Sequence, residues 1–385
     1  MLSGILAAAT ALLVSHWAIA WGALRLGRRA GKADAGPAPS VRPSVVVVVK
    51  DEAPRLPQLL RSLAVQTRDD FDLVFVDDRS TDGTGDLLAA FAAAHPQRVQ
   101  VLAGRALRTS LTPKQQRLDE GAAAARGDVI LFTDGDCVVP PGWVEQTAAR
   151  FADEQVGVVF GQLAVQSEGG FVQDQQAFDL PLFQAFAAGS VGLGWATGGC
   201  GNNQAVRRRA LAEVGGFAGL GYTLTEDTAL VGALRARGWT IDVTVSEQTR
   251  TTTHPRTSWR ALYHQRLRWM GGLWCAADGL TRWTVRAYAL GCAAAVLAVP
   301  LGLGLGRWAL LLWPAALTLG VATVAAVGVT RQRRGRARWL LQCLPRAAAF
   351  ITGQALLAAL MVPGGPAPVW KGRRLGLRGA VPSDR

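Results

Sequence analysis

Hydrophobic residues follow two patterns along this chain. Short β-branched runs alternate with amphipathic stretches between about residues 44 and 134, and long apolar segments lie towards both ends. The alternation predicts βαβα order, which folds as a mostly parallel sheet with helices on both faces and a ligand site at the carboxyl ends of the strands. The predicted strands are 45–49, 71–76, 99–103 and 129–133, and the predicted helices between them are 56–63, 86–94 and 115–125.

The N-terminal segment, residues 1–24, is almost uncharged and long enough to cross the core of a bilayer. A cleaved signal peptide is the alternative, but the arginine-rich flank follows the apolar run and no basic residue precedes it. We therefore predict an uncleaved transmembrane anchor, a linker over residues 25–43 and a folded domain over residues 44–280. By the positive-inside rule this domain faces the cytosol.

The C-terminal part, residues 281–385, is predicted to hold membrane helices at about 287–305, 308–329 and 347–362 and then a basic tail. The first two segments form a helical hairpin that returns the chain to the cytosol at residues 331–338. If the third segment spans the bilayer, the tail at 371–378 lies outside. A re-entrant or interfacial helix would keep the tail inside, and we prefer this alternative.

The charge is strongly basic, with 41 lysines and arginines against 28 aspartates and glutamates. The basic runs at 25–32, 331–338 and 371–378 each adjoin an apolar stretch, which is typical of contacts with lipid headgroups and argues against a nucleic-acid partner. The five cysteines are odd in number and scattered, so neither a disulfide framework nor a zinc site is predicted.

Acidic residues follow the first two predicted strands. Asp51 and Glu52 end the first strand, and Asp77 and Asp78 end the second. Carboxylates at this edge can accept hydrogen bonds from a base or from ribose hydroxyls. The segment 80–83 could instead be only a turn and helix cap. Two adjacent carboxylates after a buried strand are costly without partners, which favours a binding role for Asp77 or Asp78.

The tripeptide Asp134-Gly135-Asp136 ends the fourth predicted strand. Two carboxylates separated by one small residue can face one pocket, and such oxygen ligands suit Mg²⁺ or Mn²⁺ bridging a diphosphate. A solvated acidic turn is the alternative. Cys137 is predicted to be a small core residue, because thiolates favour softer metals.

Residues 44 to about 272 resemble the family 2 inverting glycosyltransferases of the Rossmann-like GT-A fold. Lys50-Asp51-Glu52 stands where that family has Arg-Asn-Glu, with Asp51 in place of the asparagine. The other matching motifs, in family order, are Asp77-Asp78-Arg79-Ser80-Thr81-Asp82-Gly83-Thr84, Asp134-Gly135-Asp136, Thr225-Glu226-Asp227 and Gln265-Arg266-Leu267-Arg268-Trp269.

The resemblance implies transfer of a sugar, with inversion, from a nucleotide-sugar, and we expect a UDP-sugar. Asp227 would be the general base that removes the proton of the acceptor hydroxyl. Asp136 would be the more direct metal ligand, while Asp134 would serve the metal and the donor sugar or ribose. Lys114 is expected to help bind the diphosphate or donor sugar, with a solvated lysine at a helix start as the alternative.

The resemblance also implies that Gln265 and Arg268 contact the diphosphate and that Trp269 lines the acceptor site. An amphipathic interfacial helix over 264–274 would explain the same residues. In the glycine-rich loop 197–203, Asn202 and Asn203 could bind sugar hydroxyls or simply form turns. Glu226 and Asp227 could likewise have no role other than stabilising the N-terminus of a helix.

The apolar ends and basic flanks favour a lipid or lipid-linked acceptor and an enzyme integral to the bacterial-type inner membrane. A processive polysaccharide synthase is an alternative, although such enzymes usually carry more membrane helices. Two further alternatives are a catalytically silent, nucleotide-binding membrane scaffold and a nucleotidyltransferase.

Overall fold

The computed structural model describes residues 2–33, 41–108, 110–330, 336–361 and 365–377. The chain divides into two compact units. The sheet unit contains residues 27–166, 198–255 and 369–385, and the helical unit contains residues 1–26, 167–197 and 256–368. The expected single block over 44–280 is thus interrupted, because residues 167–197 and 256–280 pack with the apolar helices of the helical unit.

The secondary structure follows the predicted alternation over the first half of the sheet unit. The strands are β1 (Pro43–Val49), β2 (Asp72–Asp77), β3 (Val99–Ala103), β4 (Val129–Asp134), β5 (Cys137–Val138), β6 (Val156–Phe160), β7 (Leu163–Val165), β8 (Gln204–Arg207), β9 (Thr240–Val243), β10 (Thr251–Thr253), β11 (Val369–Trp370) and β12 (Arg373–Arg374). The helices are α1 (Leu2–Ala33), α2 (Leu56–Ala64), α3 (Thr84–Ala94), α4 (Pro113–Ala124), α5 (Trp143–Ala149), α6 (Phe171–Gly192), α7 (Arg208–Glu213), α8 (Glu226–Ala236), α9 (Trp259–Trp274), α10 (Gly279–Gly304), α11 (Leu312–Thr330) and α12 (Arg336–Ala359).

The main sheet has seven strands in the order β3-β2-β1-β4-β8-β6-β9. Strand β8 is antiparallel to both of its neighbours, while the other described pairings in this sheet are parallel. A smaller sheet has the order β5-β10-β7. The predicted mostly parallel α/β fold is therefore confirmed.

The core of the sheet unit lies around β1, whose seven residues are all buried. A strand covered on both faces favours continuous β-branched residues, and β1 contains five consecutive valines. Helix α2 buries Leu56, Leu59, Leu60 and Leu63, the spacing of one helical face. This packing fixes the end of β1 against α2.

The helical unit contains α6, α9 to α12 and most of α1. Helix α1 continues to Ala33, past the predicted end of the anchor at residue 24, and alanine, arginine and lysine in this stretch are good helix formers. Residues 34–40 of the predicted linker lie outside the described residues. Glycines allow α1 and α6 to approach closely, because a Cβ on Gly22 would lie 2.5 Å from the backbone oxygen of Gly189.

Three helical segments in the described part of the chain are long and apolar enough to cross a membrane: Ser3–Leu26, Gly279–Gly304 and Trp308–Gly328. They correspond to the predicted anchor and to the first two predicted C-terminal segments. The third predicted segment lies mainly in α12, and its last residue lies outside the described residues, as does the run 331–335. All five cysteines are free thiols.

Candidate active site

The acidic segments converge because of the strand register. Strand β1 lies between β2 and β4, with Val49 opposite Asp77 and Val48 opposite Asp134. The carboxyl ends of three parallel strands therefore bring the loops after β1, β2 and β4 to one edge of the sheet. Asp77 and Asp134 are the last residues of β2 and β4, and the other candidate acidic residues lie just after the strand ends: Asp51, Glu52, Asp78 and Asp136.

The loops after β1 and β2 are tied together by side chains. The backbone N–H of Asp51 donates to Ser80 Oγ, and Asp51 Oδ1 accepts the N–H of Thr81, both at 2.9 Å. The hydrogen bond from Thr81 lowers the pKa of Asp51. Asp51 and Arg79 both have positive φ, at 50° and 59°. Such backbone conformations cost free energy in residues other than glycine and concentrate at functional sites.

Asp77 shapes the turn after β2. Its Oδ1 accepts hydrogen bonds from the N–H of Ser80 at 3.0 Å and from Ser80 Oγ at 2.6 Å. These hydrogen bonds close a turn over residues 77–80, while residues 80–83 lead into α3, whose N-cap Gly83 provides no side-chain cap. Asp77 itself is half-buried.

Asp78 is fully buried and is held by two arginines. Arg117 Nε and Nη2 each lie 2.8 Å from Asp78 Oδ1, and Arg373 Nη1 donates to Oδ2 at 3.0 Å. Arg117 also binds Glu120 and the backbone oxygen of Arg105. Two arginines of the protein thus pair with the buried carboxylate of Asp78, and its contact with a nucleotide stays a prediction.

The end of β4 places Asp136 close to Glu52. A Cβ on Gly135 would lie 2.9 Å from Val49 Cγ1 and 3.2 Å from Glu52 Cγ. Only glycine therefore fits between Asp134 and Asp136 without displacing these neighbouring side chains. Asp136 and Glu52 are both buried, at 8% and 7% exposure. Burial raises the pKa of Glu52, and the negative charge of Asp136 raises it further.

The residues at this strand end suit a hard divalent cation. Asp134 is half-buried and offers carboxylate oxygens beside Asp136, and burial raises the pKa of Cys137 so that its thiol stays protonated. The described residues contain no group of three or more histidine, cysteine or acidic side chains placed to hold a metal. Mg²⁺ commonly binds through one or two carboxylates plus waters and phosphate oxygens, and this donor set fits that pattern.

Lys114 connects this edge to α8. Its Nζ lies 2.9 Å from Asp134 Oδ1 and 3.3 Å from Glu226 Oε1. The side chain of Glu226 is almost fully buried, and that of Lys114 is 15% exposed. The alternative of a solvated lysine is therefore excluded by the structure.

Asp227 is the second residue of α8 and lies beside the glycine-rich loop. Its Oδ2 accepts the N–H of Gly201 at 2.9 Å, and its Oδ1 accepts the N–H of Thr228 at 2.8 Å. A Cβ on Gly199 would lie 2.9 Å from the backbone carbon of Asp227. The loop can approach this close because it lacks side chains at these positions. Asp227 remains half-buried, so its carboxylate is fixed in orientation and partly open.

The two asparagines of the loop are part of the fold. Asn203 is buried, donates to the backbone oxygens of Gln162 and Thr249, and accepts from Trp143 Nε1. The backbone oxygen of Asn202 accepts from Thr133 Oγ1 at 3.0 Å. These contacts support a structural role for Asn203 rather than a contact with sugar hydroxyls.

Gln265, Arg268 and Trp269 lie on α9, in the helical unit, and all three are half-buried. Their neighbour Arg266 is buried, binds Asp179 of α6 at 3.1 Å, and has its guanidinium 4.6 Å from the centre of the Trp269 ring. Within the helical unit the motif thus contributes a buried ion pair. Its predicted contacts with donor and acceptor stay predictions.

The sequence model of the family described as Glycosyl transferase family 21 matches residues 5–380. The chain belongs to glycosyl transferase family 21. The prediction of a glycosyltransferase family is confirmed, while the finer resemblance to family 2 and an inverting mechanism stay predictions.

Two relatives show how far this family 21 chain resembles curated proteins. It is 31% identical over 140 residues to an uncharacterised protein of Mycobacterium tuberculosis, covering 35% of this chain and 42% of that protein. It is 27% identical over 130 residues to the glycosyltransferase GlyG of Streptococcus pneumoniae, covering 33% of this chain and 42% of GlyG. The chain thus spans about two fifths of the length of these relatives.

A solved structure shares the fold of this family 21 chain over most of its length. It is the mannosyltransferase PcManGT from Pyrobaculum calidifontis in complex with GDP-Man and Mn²⁺. The TM-score is 0.51 at 19% sequence identity, with 93% of this chain and 98% of that chain covered. The likeness supports the fold with its apolar terminal helices.

Three basic residues of the site were not predicted from the sequence. Arg117 resembles any charged residue on an amphipathic helix, yet it is fully buried against Asp78. Lys371 and Arg373 lie in a basic tail that was expected at the membrane, and the structure places them on Glu52 and Asp78. The sequence signal for this hairpin was Gly372, since glycine readily adopts the positive φ that a tight turn requires.

Proposed function

We propose that this chain is a membrane-bound, metal-dependent, inverting glycosyltransferase that moves a sugar from a nucleotide-sugar to a lipid or lipid-linked acceptor. The observation that carries the proposal is the connection of Asp134 to the start of α8 through Lys114. It joins Asp134, one of the two carboxylates suited to a metal, to Glu226, the residue before Asp227. This contact supports a proposed metal position and a proposed base within one folded unit.

Asp227 is the general base of the proposed reaction. A carboxylate whose two oxygens each accept one backbone N–H keeps a fixed direction, and each oxygen retains a further lone pair for an acceptor hydroxyl. A base positioned in this way typically contributes about 10²–10⁴-fold to the rate. Inversion needs only this one carboxylate, because the hydroxyl attacks the anomeric carbon opposite the leaving diphosphate.

The donor diphosphate is proposed to bind at the end of β4. Asp136, together with Asp134, would hold Mg²⁺ or Mn²⁺, which when bound stabilises the charge that develops on the leaving group. Lys114 brings a positive charge to the carboxylate of Asp134. We propose a UDP-sugar as the donor, with Asp51 or Asp77 of the neighbouring loops contacting the nucleoside.

The acceptor is proposed to be a lipid because three helical segments among the described residues are long and apolar enough to cross a bilayer. The arginines that follow the first of these segments favour a bacterial-type inner membrane with the sheet unit on the cytosolic side.

The test is a transfer assay on the full chain in nanodiscs, supplied with Mn²⁺, a panel of UDP- and GDP-hexoses and a bacterial lipid extract. We expect release of nucleoside diphosphate together with one new glycolipid mass. A ladder of products with increasing sugar number would indicate a polysaccharide synthase, and pyrophosphate release would indicate a nucleotidyltransferase. Tight nucleotide binding without release from any donor would favour a silent module.

A further inference from the structure

The C-terminal hairpin is a defined structural element of the sheet unit. Strands β11 and β12 pair antiparallel, with Trp370 opposite Arg373. The two residues between them, Lys371 and Gly372, have φ values of 47° and 77°. Positive φ at both central positions is typical of the type I′ turn, whose twist matches that of a two-stranded hairpin. The turn fixes the direction in which the residues on either side project.

The hairpin is anchored on the sheet unit at several points. Arg373 Nη1 donates to Asp78 Oδ2 at 3.0 Å, and the hydroxyl of Tyr222 donates to the backbone oxygen of Gly376 at 3.0 Å. Leu375, directly after β12, is buried. Arg373 and Arg117 together surround a carboxylate that has no exposed surface. Arg373 is therefore a positioning residue, which holds the hairpin by completing a buried ion pair.

Lys371 has a different environment. Its Nζ lies 2.5 Å from Glu52 Oε1, and its side chain is 26% exposed, whereas that of Glu52 is 9% exposed. Glu52 in turn packs against Gly135, between the two aspartates suited to a metal. The ammonium group thus stands beside the proposed metal position, on the side of Glu52, while Lys114 approaches from the side of Asp134. An ammonium has three donors, so it can keep Glu52 and still bind a phosphate oxygen.

The backbone conformation of Lys371 supports a functional role for its position beside Glu52. In the part of the chain that the structure describes, three residues other than glycine have positive φ: Asp51, Arg79 and Lys371. The first two lie in the loops after β1 and β2, and the third contacts Glu52 of the first loop. Strained conformations persist where the surrounding structure holds them, and here they concentrate at one edge of the sheet.

We propose that Lys371 is a donor-binding residue, contacting the diphosphate of the nucleotide-sugar, and that Arg373 positions it by anchoring the hairpin on Asp78. This inference rests on the proposed function, because it requires the diphosphate at the end of β4. The C-terminal tail then completes the nucleotide site from a point more than 300 residues after Glu52 in the sequence.

The experiment compares two single substitutions that remove the same charge from the same hairpin. Lys371→Met removes the ammonium at Glu52, and Arg374→Met removes an exposed guanidinium three residues later. The affinity of the full chain for UDP and for GDP, with Mn²⁺, is measured by calorimetry in nanodiscs. We expect Lys371→Met to weaken the tighter nucleotide at least about tenfold, as for loss of a charge-assisted hydrogen bond. Arg374→Met should match the wild type.

Lys371→Arg keeps the charge and should recover part of the affinity, and melting temperatures show whether each variant is folded. Equal affinities of Lys371→Met and Arg374→Met, in a background where the wild type binds and transfers, would overturn the proposal and leave the proposed function intact. A wild type that binds neither nucleotide and transfers no sugar would overturn both. Arg373→Met should lower both the affinity and the melting temperature, because it also uncovers Asp78.

Discussion

The backbone N–H of Gly201 donates a 2.9 Å hydrogen bond to Oδ2 of Asp227. The loop that provides this donor is tied to the end of β4, because Thr133 Oγ1 donates to the backbone oxygen of Asn202. The loop that orients the proposed base is therefore held by β4, the strand whose end leads into the proposed metal ligands Asp134 and Asp136. We expect substitutions at the proposed base to affect proton removal, and substitutions at the proposed metal ligands to affect donor binding.

Asp227→Asn should reduce sugar transfer by about 10²–10⁴-fold or more and leave the affinity for the nucleotide nearly unchanged. The amide keeps the size of the side chain but cannot accept the proton of the acceptor hydroxyl. The measurement is single-turnover transfer to the lipid acceptor, together with calorimetric titration of the nucleotide.

Asp86→Asn is the matched control for this prediction. Asp86 lies in the first turn of α3, as Asp227 does in the first turn of α8, and its side chain is exposed. The substitution Asp86→Asn therefore removes the same charge from a helix N-terminus. Its turnover should equal that of the wild type. If Asp227→Asn also transfers at a near-normal rate, the base is another residue.

Asp136→Asn should abolish the gain in nucleotide affinity that Mn²⁺ provides, and chelation with EDTA should have the same effect on the wild type. The reason is that hard divalent cations need charged oxygen ligands. Mn²⁺ binding can be followed directly by electron paramagnetic resonance. Cys137→Ala should bind Mn²⁺ normally, because its buried thiol has a raised pKa and is not a ligand. Undiminished Mn²⁺ binding by Asp136→Asn would contradict the metal site.

Gly135→Ala should destabilise the protein by about 1–3 kcal/mol and weaken Mn²⁺-dependent nucleotide binding. The added methyl group would meet Val49 and Glu52 at less than normal contact distance. Gly353→Ala provides a comparison, since a Cβ there has no neighbour within 4 Å. That helical substitution should leave nucleotide binding unchanged and slightly raise the melting temperature. A Gly135→Ala protein with wild-type stability and affinity would show that the strand end relaxes freely.

Asp179→Leu should destabilise the helical unit by about 3–5 kcal/mol, because it leaves the buried guanidinium of Arg266 without its carboxylate partner. Burial raises the pKa of Asp179 and lowers that of Arg266, so each charge depends on the other. The double variant Asp179→Leu with Arg266→Met should recover most of the lost stability. Thermal unfolding in micelles completes this double-mutant cycle, and additive effects of the two substitutions would argue against coupling.

The sequence predicted the first half of the sheet well because each element there has a clear period. Strand β3 has its predicted limits, and β1, β2 and β4 differ from theirs by one or two residues. The site at the strand ends followed from the same pattern, since parallel strands bring their carboxyl ends together.

Contacts between distant parts of the sequence could not be predicted in this way. Arg117 reaches Asp78 across 39 residues, and Arg373 reaches it across 295. Nothing in a local window distinguishes these arginines from solvated ones. The same limit applies to Asn203, whose amide is satisfied by backbone groups from two other loops. The grouping of α6 with the apolar helices also depends on packing that local periodicity does not show.

The return of the hairpin to the sheet unit restricts how the chain can pass through a bilayer. The chain leaves this unit after Pro255 and rejoins it at Val369. One folded unit lies on one side of a membrane, so the number of complete crossings between these residues is even. If α10 and the segment ending at Gly328 both cross, α12 does not add a third crossing. Cysteines introduced at Thr257 and Pro366 should then react with an impermeant reagent from the same side of the membrane. The even number of crossings between these two positions, and not the hydropathy of α12, therefore decides whether α12 crosses.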